Sequence, residues 1–254
     1  MSNWTKNKFN EIEPGESQWK DLYKIAGVAA LLMVALIPLQ IIAYTLWGTP
    51  ETASECFALF QESKLYGLLT LELPYLVSNI LSVPLYIALF IALRRVNRSI
   101  VAIAAVLGLI SAGIIFAARP TFDMLYLSNQ YAAADSEAQR SIILGAGEAK
   151  IALMYGTAQQ AHYILGSLAL LLISIIMLRS DIFGKRIAYC GVIANVLVFG
   201  LFIPTIGLYL SILSVFPFLT LWLVLTGLRF LKLARIDNRD ARISAGVIPE
   251  TQIT

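Results

Sequence analysis

Six stretches of this chain run for the length of a bilayer crossing without a single Asp, Glu, Lys or Arg. They cover residues 25–46, 73–93, 100–118, 158–178, 187–204 and 206–228. A hydrocarbon core of ~30 Å is crossed by about 20 helical residues. A segment inside lipid must satisfy its own backbone hydrogen bonds, which a helix does and an isolated strand does not. With 58% apolar and only 14% charged residues, the chain has too little polar surface to cover a soluble globule. The expected fold is therefore all-α: a six-span transmembrane helical bundle over residues 22–233. A polar N-terminal tail, 1–21, precedes it, and a polar C-terminal tail, 234–254, expected to be disordered, follows.

The mostly polar stretch before the first apolar run, and the lack of an A-x-A site after it, favour a retained anchor helix over a cleaved signal. The last two spans are separated by little more than "FIPTIG", so they should form a tight hairpin. Pro74 and Pro84 fall in the second span, where each removes a backbone donor and is expected to kink or loosen the helix.

Lysines and arginines set the orientation. With the N-terminus inside, the inner segments hold Lys6, Lys8, Lys20, Lys24, Arg94, Arg95, Arg98, Arg179, Lys185, Arg186, Arg229, Lys232, Arg235, Arg239 and Arg242. The outer side keeps Lys64, Arg119, Arg140 and Lys150. Every inner segment obeys the positive-inside bias, which places both termini in the cytoplasm.

The outer loops read as helical. In the first, Thr49 offers an N-cap, Pro50 the first helical position and Glu51 a first-turn acid. Phe57, Phe60 and Leu65 would then lie against the membrane surface. In the second, "NQYAAADSEAQR" pairs Ser136 with Gln139 in a capping-box pattern, so a helix should begin at Glu137. Continued into the fourth span it would measure about 63 Å, roughly twice the hydrocarbon thickness. It must protrude, or break near Gly145, Gly147 or Gly156.

Charge-free spans argue against proton relays, a buried Schiff-base lysine and voltage sensing. His162 is the sole histidine, and Cys56 and Cys190 fall on opposite sides of the membrane. That is too sparse a ligand supply for a zinc centre and for a disulfide framework. No nucleophile elbow, Ser-x-x-Lys pair or phosphate loop occurs. No metal, cofactor, catalytic residue or nucleic-acid partner is assigned; the bilayer itself is the one partner the composition demands.

A coincidence of depth remains. Counted from the inner basic residues, His162 lies about 25 Å up, Gln40 about 24 Å and Asn79 about 22 Å, with Gln159 and Gln160 slightly higher. Ser214 reaches about 22 Å, and Ser211 stands above it. Gln159, His162 and Tyr163 share a helical face. Arg119 lies nearer the outer surface, within reach of Glu72 or of Asp123 at i+4. One reading is an outward-facing polar pocket, lined by Gln40, Asn79, Arg119, Gln159, Gln160, His162, Tyr163 and Ser211, that binds or transports a small polar or amphiphilic molecule. The plainer reading is that helix ends near water are polar and amides hydrogen-bond neighbouring helices. A second function class is a membrane scaffold or sensor that docks a protein partner through its outer helices. An intramembrane enzyme using His162 as acid–base comes third.

"ECFALFQESKLYGLLTLELPYLVSNIL", "LSNQYAAADSEAQR", "YILGSLALLLISIIMLRSDIFGK" and "PTIGLYLSILSVFPFLTLWLVLTGLRFLKL" resemble a family of bacterial multi-span membrane proteins catalogued as a domain of unknown function. The likeness covers roughly residues 22–233. It implies a six-helix bundle in the plasma membrane and brings no catalytic residue, substrate or cofactor with it. A reporter enzyme fused to the C-terminus is predicted to be active only if it works in the cytoplasm; extracytoplasmic activity would reverse the topology.

Overall fold

The structure, a computed structural model, describes residues 17–244. Of the two tails, residues 1–16 and 245–254 lie outside the described residues. Helices make up the fold, and no strand occurs among the described residues. A 3-10 turn, Ser17–Trp19, leads into α1 (Lys20–Trp47). Then come α2 (Ala53–Glu62), α3 (Lys64–Thr70), α4 (Leu73–Ala118), α5 (Thr121–Ala132), α6 (Glu137–Leu153) and α7 (Thr157–Met177). The described residues end with α8 (Lys185–Phe199), α9 (Gly207–Leu213) and α10 (Thr220–Ser244), so α10 carries on into the polar tail. Among the described residues five helical stretches are long and apolar enough to cross a membrane: Lys20–Trp47, Leu73–Ala132, Glu137–Met177, Lys185–Phe202 and Tyr209–Arg235.

The second of these is not one rod. At Asn97 the backbone of α4 leaves the helical region, at φ −157° and ψ 94°. The Asn97 side chain accepts the Ile100 N–H at 3.1 Å, as an N-cap does for the arm that follows. Tyr86 lies against Gly108, where a Cβ would come within 2.2 Å of the ring, so residues 73–96 and 98–118 fold back on each other. The expected proline kinks do not carry this bend. Pro74 sits in the first turn of α4, where its missing N–H would have had no helical partner, and the helix runs on through Pro84.

At one end of the bundle lie Lys20, Lys24, Arg94, Arg229 and Lys232, near the start of α1 and the later turns of α10. Tyr23 stacks on Phe230 with centroids 5.5 Å apart, and Phe183 meets the same ring edge-on at 5.6 Å. The Arg94 guanidinium lies 5.9 Å from the Trp19 ring centroid, and Arg229 donates to Ile182 O. α1 and α10 run antiparallel and touch backbone to backbone: a Cβ on Gly27 would stand 2.9 Å from Gly227 O, and one on Gly227 would stand 3.0 Å from Gly27 O. Small residues are what permit such an approach where lipid offers no hydrophobic drive between helices. The hairpin expected of residues 187–204 and 206–228 is tied where Ser214, just after α9, donates its Oγ–H to Ala194 O of α8 at 2.8 Å.

At the opposite end α2, α3, α5 and α6 build a cap with its own core. Thr52, not Thr49, is the N-cap of α2: its hydroxyl accepts Glu55 N–H at 3.3 Å, and Glu55 reaches back to Glu51 N–H at 2.8 Å. The helix therefore starts at Ala53, and Thr49, Pro50 and Glu51 precede it. Phe57 and Phe60 are not laid on the membrane surface; both are buried with Cys56, Leu71, Met124 and Ile151. Leu65 is exposed. Gly147 lets α6 close on α2, since a Cβ there would stand 2.6 Å from that of Ala53. Glu148 accepts the Ala53 N–H at 2.8 Å, giving the α2 N-terminus an anion.

The Ser136–Gln139 capping box forms, with Gln139 N–H on Ser136 Oγ at 3.2 Å and Asp135 N–H on Gln139 Oε1 at 3.3 Å. The long helix divides after Leu153, with Gly156 as the N-cap of α7. Gly145 and Gly147 stay helical.

Cys56 is fully buried in the cap core. Burial, with Glu55 and Glu148 beside it, pushes its thiol up to about 12. Near neutral pH it should resist maleimide. Gly147→Val, which drives a side chain into Ala53, should raise Cys56 labelling about tenfold or more by opening the cap. Pulse labelling read by mass spectrometry checks this, and equal labelling of both proteins would count against a packed cap.

Candidate functional site

The turn Leu69–Glu72, between α3 and α4, is where cap and bundle meet. Glu72 adopts φ 66° and ψ 30°, the left-handed region that a side chain enters at a cost. Neighbours hold the turn from several sides. Gln40 Nε2 donates to Leu69 O at 3.0 Å, and Thr121 Oγ1 donates to Leu71 O. The Glu72 carboxylate accepts Tyr44 OH on Oε1 at 2.7 Å, and its Oε2 forms an ion pair with Arg119 Nε at 2.9 Å. The Arg119 guanidinium also lies 5.7 Å from the Tyr75 ring centroid. The two ionic side chains are only 9% (Arg119) and 16% (Glu72) exposed. Each occupies a favourable helix end, the acid at the N-terminus of α4 and the base at its C-terminus.

One turn deeper lies His162. Its Nε2 meets Tyr75 OH at 2.7 Å, and its Nδ1 faces Ser111 Oγ at 3.0 Å and Ser111 O at 2.9 Å. A carbonyl only accepts, so Nδ1 carries the proton and Nε2 of the neutral ring accepts from Tyr75. Ser111 Oγ donates to His162 O at 2.9 Å. Gly166 opens this crossing, because a Cβ there would stand 2.8 Å from Ser111 Oγ. Both ring nitrogens are thus engaged within the protein.

Gln159 and Tyr163 complete the cluster from α7. Tyr163 lies beside Gln159 and Arg119, its ring 5.5 Å from that of His162. Gln159 is only 4% exposed, yet its Oε1 has no hydrogen-bond partner among the described residues. The same is true of Gln40 Oε1 and Thr70 Oγ1, both beside the Leu69–Glu72 turn.

The structure thus brings together Gln40, Arg119, Gln159, His162 and Tyr163, while the other expected residues behave differently. Asn79 spends its amide on Tyr75 O one turn back, at 2.9 Å. Gln160 is half-buried on the neighbouring face of α7. Ser211 stands on α9, which packs on α8 and the adjoining turns, and so lies outside the cluster. Its depth matched, but depth carries no information about direction around the bundle. The Arg119–Asp123 pairing does not form either. Arg119 takes Glu72, and Asp123 pairs with Lys150 at 3.1 Å.

Tyr44, Tyr75 and Ser111 went unassigned, although a signal for them exists. Tyr44 is four residues after Gln40, Tyr75 four before Asn79 and Ser111 eight before Arg119, each on the helical face of an assigned residue. Among the described residues no three His, Cys, Asp or Glu side chains gather as a metal site would require.

Residues 25–229 match the model of a family described as a domain of unknown function (DUF4386). No curated protein and no solved structure matches.

Removing one partner of a buried ion pair strands the other. Glu72→Leu or Arg119→Met alone is predicted to cost roughly 3–5 kcal/mol, and the double variant to recover most of that loss. Denaturation in micelles as a double-mutant cycle checks it; additive losses would show that the pair is not coupled.

Proposed function

The chain belongs to the DUF4386 family, a domain of unknown function, and we propose that it is a multi-pass membrane protein that holds a small polar or amphiphilic molecule beneath its cap. Parity supports six crossings. α1 starts, and α10 ends, at the basic end, as the antiparallel Tyr23–Phe230 and Gly27–Gly227 contacts require. An even number of crossings follows once residues 73–96 and 98–118 are counted as two arms. The basic residues at that end support a cytoplasmic location for it under the positive-inside bias, which would leave the cap outside.

The observation that carries the binding reading is the unpartnered Gln159 Oε1. A buried acceptor without a donor costs about 1–3 kcal/mol, so it persists where something else supplies the donor. It stands beside Tyr163 and the Glu72–Arg119 pair, where hydrogen-bonding groups converge at the end of the bundle. On the side of the basic end the buried Leu89, Leu93, Ile173 and Met177 close the core, which favours retention over free passage. His162, engaged on both nitrogens, serves as a wall of this site.

A scaffold reading draws on one specific feature. Phe122 and Tyr126 of α5, Ile142 of α6 and Tyr155 after it present large apolar or aromatic surface from the cap. Docking through them would leave the polar cluster a purely structural joint.

Native mass spectrometry from mild detergent separates the two readings. The wild type is expected to retain a small molecule that Gln159→Leu loses, and the ligand-free variant to be more stable by about 1 kcal/mol because the orphan acceptor is gone. A wild type that retains nothing, or the same mass in both proteins, would overturn the binding reading.

A further inference from the structure

The cluster's own chemistry narrows the molecule it would hold. We infer that the ligand is a neutral amphiphile whose head carries a hydroxyl group, donated to Gln159 Oε1; this rests on the binding reading above.

The charges near Gln159 are already balanced. Glu72 and Arg119 neutralise each other at 2.9 Å, and Tyr44 takes the second carboxylate oxygen. A carboxylate or phosphate head would set further acceptors against Gln159 Oε1 and add a second negative charge beside Glu72, whose charge Arg119 already balances. An ammonium head would satisfy Gln159 but stand beside the Arg119 cation. A hydroxyl donates one hydrogen bond, adds no charge and matches a single open acceptor.

The surroundings of Gln159 are apolar as well. Leu76, Ile115 and Ala118 form a small buried cluster that packs with Tyr75 and with Ala158, the residue preceding Gln159. A hydroxyl at Gln159 therefore puts the first carbons of a chain next to apolar side chains.

Chain-matched decanol, decanoate and decylammonium test the inference with the full protein in lipid nanodiscs. Decanol is expected to raise the wild-type melting temperature by roughly 2–4 °C. It should do so neither in Gln159→Leu nor in Gln159→Met, the second variant guarding against a misfolded first, and the charged probes should shift none of the proteins. A Gln159-dependent shift with decanoate or decylammonium instead would overturn the neutral-head assignment while leaving the binding reading intact. Equal decanol shifts in wild type and variants would mean bilayer partitioning and overturn the inference. No shift with any probe would also overturn it, and the fate of the binding reading would then rest on the mass-spectrometric comparison.

Discussion

A carboxylate and a guanidinium, both largely withdrawn from water, face each other where the bundle meets its cap, and the arrangement of that end follows from keeping them paired. Glu72 begins α4 and Arg119 ends it, so their contact closes a loop of two antiparallel arms. Tyr44 brings α1 to the same carboxylate, and Thr121 brings α5 to the preceding carbonyl. A buried pair of this kind adds little net stability over apolar packing, because desolvation offsets most of the Coulombic gain. Its contribution is to specificity, since any other docking of these elements would strand a charge. That logic also accounts for the left-handed conformation of Glu72, a local strain that persists because the hydrogen bonds around it determine the turn.

The two ends of the molecule use different physics. At the basic end helices approach through glycine and aromatic stacking, with Gly27 against Gly227 and Phe230 between Tyr23 and Phe183. Between helices in lipid, close packing is the main attraction available, and small residues supply it. The cap is assembled as a soluble domain would be, with capped helices, a buried aromatic core and polar ties such as Ala53 N–H donating to Glu148. His162 lies between these regimes, held by Tyr75 on one nitrogen and Ser111 on the other.

Much of the fold was legible in advance. Long charge-free runs have few stable solutions in lipid, and a Ser-x-x-Gln pattern names its own helix start. Errors came where two local signals competed. Thr49–Pro50–Glu51 looked like a helix start, yet Thr52 and Glu55 form the better reciprocal cap and prevailed. Phe57 and Phe60 have the pattern of an interfacial face, but α6 offers them a protein surface through Gly147. Pro74 was read as a kink because its position within the helix was unknown; in a first turn it costs nothing. The candidate site was half legible, since helical rise sorts residues by height but not by direction. Gln159, His162 and Arg119 therefore met, and Ser211 did not.

By itself the sequence determined the apolar surroundings, the helical class and the clustering of positive charge at one end. Hydrophobicity and charge act residue by residue along the chain, so no knowledge of packing is needed to read them. Tertiary structure alone decided that the loops form one cap, that Arg119 takes Glu72 rather than Asp123, and that Gln159 is buried with an open acceptor. Those outcomes depend on which helices become neighbours. That choice is made by close approaches such as Gly166 to Ser111 and Gly147 to Ala53, between positions distant in the chain.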